Sequence, residues 1–80
     1  MALARYFVFL NGDRWIVVLD GMTVGSHASR AEALQSAIVM ADLMGSMRHE
    51  ADVLLEADGK LDFAWTYGVD ALPRQPAVAA

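Results

Sequence analysis

The chain has no cysteine, which removes disulfide staples, thiolate zinc sites, iron–sulfur clusters and thiol nucleophiles together. It fits a reducing compartment, so a cytoplasmic location is the expectation. Proline occurs twice and glycine six times, too rarely for a low-complexity or disordered chain. Positive charge is scarce: six Lys and Arg stand against ten Asp and Glu, a net charge of −4. The field of the whole molecule therefore repels phosphate backbones, and nucleic acid is a poor partner. Long apolar runs are missing too. The stretch nearest the N-terminus, Tyr6 to Leu10, is followed at once by Asn11-Gly12-Asp13-Arg14. It is shorter than the roughly 7 to 15 residues of an export signal and far from the ~18 of a membrane span. No membrane is expected.

What is present is 80 residues, 56% of them hydrophobic and 20% charged. That describes a single domain over residues 1–80, with an ordered core at about 4–70 and an irregular tail over 71–80, since from Gly68 onward glycine, both prolines and small residues gather. A chain this short buries only about 60 to 65% of its unfolded surface. Packing or a partner must hold it together.

Asn11-Gly12 lies between two apolar runs, Arg5 to Leu10 and Trp15 to Asp20, and predicts a hairpin closed by a tight type I′ turn, lengthened if Asp13 and Arg14 join the loop. Asp20-Gly21 offers a second turn, after which Met22 to Ala28 makes a short third strand at most, weakened by Gly25 and Ser26. Ser29 followed by Glu32 is a capping-box pair, so a helix is predicted from about Arg30. Gly45 places its stop between Met44 and Arg48. On a 100° wheel Leu34, Ala37, Ile38, Ala41 and Met44 form the core stripe. Ala51 to Glu56, the turn dipeptide Asp58-Gly59, and Leu61 to Thr66 predict a second hairpin. In it Leu61, Phe63 and Trp65 alternate with polar or small residues and should share one face.

This order, with Tyr6, Val8, Trp15, Val17, then Ala31-Glu32-Ala33, Ala37, Ala41, then Asp58-Gly59-Lys60, Tyr67, Gly68, Asp70 and Pro73, resembles a family of small bacterial proteins known as domain of unknown function 2188. The resemblance implies a compact ββαββ-type α+β domain: an antiparallel sheet of about four strands with the helix on one face, turned towards Tyr6, Val8, Trp15 and Val17. It implies no activity and no catalytic residue. Unlike the lysine- and arginine-rich members of that family, this chain is acidic and places Val39, Met40 and Leu43 where charge is usual.

The residues that carry chemistry do not assemble into a motif. His49-Glu50-x-Asp52 has the residue types of a divalent-metal site, but two carboxylates on a solvated edge are the commoner meaning. Asp58-Gly59-Lys60-Leu61-Asp62 lacks the alternating oxygen ligands and closing glutamate of a calcium loop and reads as a hairpin turn. No glycine pattern cradles a phosphate, and no Gly-x-Ser-x-Gly elbow surrounds a serine. The aromatic residues of the first hairpin lack the flanking cations of a base-stacking platform. No catalytic residue, metal or cofactor is expected, and the chain does not read as an enzyme.

The informative feature is an apolar surplus. Both faces of the first hairpin are apolar, and one helix covers one face of a sheet at most. With Tyr6, Val8, Trp15 and Val17 turned to the helix, as the resemblance implies, Phe7, Phe9, Ile16 and Val18 fall on the far face, and Val39, Met40, Leu43 and Met47 form a second helix stripe away from the core stripe. These eight residues are the expected interface of a self-associating, non-enzymatic interaction or structural module, most simply a homodimer, with a separate protein partner also open. The competing readings are a nucleic-acid-binding accessory protein, which needs Arg5, Arg14, Arg30 and Arg48 on one face, and a sheet covered by its own terminal segments through Leu72 and Val78.

Overall fold

A computed structural model describes residues 3–72. The order is β1 (Leu3–Asn11), β2 (Arg14–Leu19), β3 (Met22–His27), α1 (Arg30–Ser46), β4 (Glu50–Ala57) and β5 (Lys60–Thr66). The class is α+β, as expected, but the sheet has five strands rather than four, in the order β3-β2-β1-β4-β5. It is also mixed rather than antiparallel, because β1 and β4 run parallel. The reason is the helix. Seventeen residues at about 1.5 Å each carry the chain roughly 25 Å back along the sheet, so β4 starts at the end where β1 starts. Of the expected tail, Ala71 and Leu72 belong to no element, and residues 73–80 lie outside the described residues, Val78 among them.

The three hairpin turns differ. Asp20-Gly21 and Asp58-Gly59 have positive φ at both positions (52° and 78°, 54° and 77°), the backbone of a type I′ turn that matches strand twist. The first turn does not. Asn11 stays in β1, paired with Arg14, and of the loop residues Gly12 and Asp13 only Gly12 has positive φ, so the type I′ reading is wrong there.

Ser29, extended at φ −129° and ψ 155°, accepts a 3.2 Å hydrogen bond from the Glu32 N–H and starts the helix. The helix stop lies within the expected window, but Gly45 does not make it. The chain turns at Arg48, with φ 70°. The Arg48 N–H donates to the Gly45 carbonyl at 3.0 Å and the His49 N–H to the Met44 carbonyl at 3.2 Å. These are the two bonds of a Schellman motif.

The core lies between α1 and one face of the sheet. Ala33, Ala37, Ile38 and Ala41 meet Tyr6, Val8, Val17, Ala51, Val53 and Trp65, while Trp15, Leu34, Met44 and Leu55 pack around them half-buried. Small residues along the helix let it approach closely. One expectation fails on β5, where the register with β4 shifts between Val53 and Leu54: Val53 pairs with Trp65, and Leu54 pairs with Phe63. The extra residue, Ala64, reverses the alternation. Trp65 turns into the core, and Leu61 and Phe63 turn to the opposite face.

Candidate interaction surface

Cross-strand partners share a face, so the pairing registers map the side of the sheet away from α1. One row crosses all five strands: Thr23, Val18, Phe7, Leu54 and Phe63. The next row holds Ser26, Ile16 and Phe9, then Glu56 and Leu61 across β4 and β5. Beyond the first row lie Arg5, Asp52 and Thr66. Phe7, Phe9, Ile16 and Val18 are half-buried by their neighbours in the sheet, whereas Phe63 is 63% exposed and Leu61 49%. Among the described residues no element lies on this face. The molecule measures 35 × 33 × 20 Å, and 20 Å is about the depth of one sheet and one helix. Leu72, a residue that could have covered the sheet, is itself 54% exposed.

The polar end of the face is organised by one ion pair. Arg5 Nε donates to Asp52 Oδ1 and Arg5 Nη2 to Asp52 Oδ2, both at 2.9 Å, a bidentate geometry that fixes both side chains. The guanidinium also lies 5.2 Å from the Phe63 ring centroid. Asp52 keeps only 8% of its side chain exposed, against 37% for Arg5. The pair with Asp52 raises the Arg5 pKa above its ordinary value.

The second predicted stripe is on the surface in large part. Val39, Leu43 and Met47 are exposed. Met40 is a correction: it is half-buried and packs against the core. An open hollow of about 410 Å³ lies beside it, between α1 and β3, lined in part by His27 and Glu32.

The candidate chemistry does not come together. His27 ends β3 just before the helix starts, and His49 follows the helix end. Asp52, expected beside His49 and Glu50, is occupied by Arg5. Among the described residues no group of three His, Cys, Asp or Glu side chains is placed to hold a metal. The four arginines named for nucleic acid also diverge. Arg5 is held by Asp52, and Arg14 donates to the Ser26 hydroxyl at 3.1 Å and the Ser26 carbonyl at 3.2 Å. Arg30 shares a hollow with Glu56 and Asp58, and Arg48 lies a helix length away, roughly 25 Å.

The strand alternation groups Phe7 with Phe9 and Ile16 with Val18, the family resemblance assigns them to this face, and neither points to Leu54, Leu61 or Phe63. Leu54 lies between Val53 and Leu55, so the local pattern assigns it no face. Phe63 and Leu61 were hidden by the bulge, for which Ala64 gives no sequence signal. No helix of the described residues is long and apolar enough to cross a membrane. No family model, curated protein or solved structure matches the chain.

Proposed function

We propose that the protein is a non-catalytic interaction module that associates with a second copy of itself through the open face of its sheet. The observation that carries this reading is the row Val18, Phe7 and Phe63, apolar around a Leu54 that is only 9% exposed and covered by no other element among the described residues. Enclosing an apolar side chain of this size contributes about 1.5 to 3 kcal/mol when complete, and a small domain has only about 5 to 15 kcal/mol of stability in all. A face this apolar is thus a large energetic lever for an 80-residue chain.

The sheet edges support the face as the contact. Both outer strands, β3 and β5, carry a register irregularity against their neighbours, at Val17/Val18 and at Val53/Leu54. Bulges of this kind interrupt the edge ladder and hinder strand addition. The setting this reading supposes is a cytoplasmic protein of the domain of unknown function 2188 kind. Its supports are the lack of cysteine and the helix-facing positions of Tyr6, Val8, Trp15 and Val17.

Co-purification of a tagged with an untagged copy tests the reading. The untagged copy is retained with the native sequence, is lost with Phe63→Lys, and is retained with Val39→Lys on the helix. Retention of Phe63→Lys together with loss of Val39→Lys moves the interface to the helix stripe. No retention of the native chain at micromolar concentration overturns self-association.

A further inference from the structure

We infer that the second copy lies across the first with its strands running the opposite way, related by a twofold axis that crosses the strands. This deepens the proposal of self-association through the sheet face and rests on it.

A face-to-face contact between two copies has two simple twofold arrangements with aligned strands. An axis along the strands reverses their lateral order, so β3 of one copy covers β5 of the other. An axis across the strands keeps each strand over its own counterpart and reverses its direction. The polarity of the strands chooses between them. Into the paired rows of the open face β3 brings Thr23 and Ser26, its bulge residue Val24 being paired with neither row, while β5 brings Leu61 and Phe63. The first arrangement therefore sets two polar side chains over the two most exposed apolar ones, and does so twice. The second sets hydroxyl over hydroxyl at one edge, Phe63 over Leu61 at the other, and Phe7 over Phe9 in the middle. Only β4 mixes the two kinds, with Leu54 and Glu56.

The size of the face suits a second copy of the same chain. Five strands at about 4.8 Å and rows over a similar length give a face of about 24 Å by 24 Å. Two such faces bury on the order of 1,200 Å², which clears the roughly 1,000 Å² expected of a specific interface.

Because the chain has no cysteine, a single spin label can be placed at will. Asp13 is exposed in the turn between β1 and β2, off the face. In Asp13→Cys carrying the label, the two turns of a reversed pair lie at opposite ends of the sandwich. Pulsed dipolar spectroscopy then reads about 35 Å between labels, whereas the axis along the strands brings both turns to one end, under about 20 Å apart. The 35 Å peak, abolished by adding Phe63→Lys, supports the inference. A dimeric sample with the short distance overturns the arrangement and leaves self-association standing. A labelled chain that stays monomeric and shows no dipolar modulation overturns both.

Discussion

The Tyr67 ring lies against Gly45 so closely that a Cβ on Gly45 would stand within the ring. Gly45 is buried in the last turn of α1, and Tyr67 follows β5 with its N–H bonded to the Ala51 carbonyl at 2.9 Å. The ring also meets Trp65 edge-on, with centroids 6.2 Å apart. Helix end and final strand are thus joined through a missing side chain.

Gly45→Ala tests that contact through its sign. In an open helix the change stabilises by about 1 kcal/mol. Here the ring must move, and overpacking of this kind costs about 1 to 3 kcal/mol, so a net loss is expected in urea unfolding. With Tyr67→Ala already in place, the same substitution should become stabilising. A stabilising Gly45→Ala in the native background would show that the ring gives way freely.

Arg48 occupies the left-handed position of the Schellman motif at φ 70°, where a side chain other than glycine is strained by about 1 kcal/mol. Arg48→Gly should therefore raise stability by up to about 1 kcal/mol. Arg48→Ala, which keeps the Cβ, should not. The comparison is made on urea midpoints at constant slope.

Tyr6 is 3% exposed beneath the helix. Burial, with a smaller contribution from the nearby Asp20 charge, raises its pKa above the ordinary 10.0. Between the unfolded and folded pKa values the native state holds the phenolic proton and the unfolded state releases it, so stability falls as pH rises in that window. Urea midpoints should decline above about pH 10. Tyr6→Phe should remove that part of the decline. An equal decline in Tyr6→Phe would assign the effect elsewhere.

The legible parts of this fold were those set by a few neighbouring residues. Asp-Gly dipeptides gave two turns, Ser29 and Glu32 gave the helix start, and the alternation of Tyr6 and Val8 with Phe7 and Phe9 separated the faces of β1. What escaped the sequence depends on distant partners. Nothing local says that β4 pairs with β1 in parallel, since that follows from where the helix delivers the chain. Nothing local says that Ala64 is the extra residue that turns Trp65 inward and Phe63 outward, because the bulge exists only against β4. Gly45 read as a stop since glycine commonly ends helices, yet its buried position answers to Tyr67. Half of the candidate surface was therefore visible, namely the half on β1 and β2.

Sedimentation equilibrium of the native chain through the micromolar range tests the central claim most directly. Apolar burial between two sheet faces requires a species of twice 8.7 kDa that gives way to the single chain on dilution or with Phe63→Lys. A mass of 8.7 kDa at every concentration, unchanged by that substitution, would contradict it.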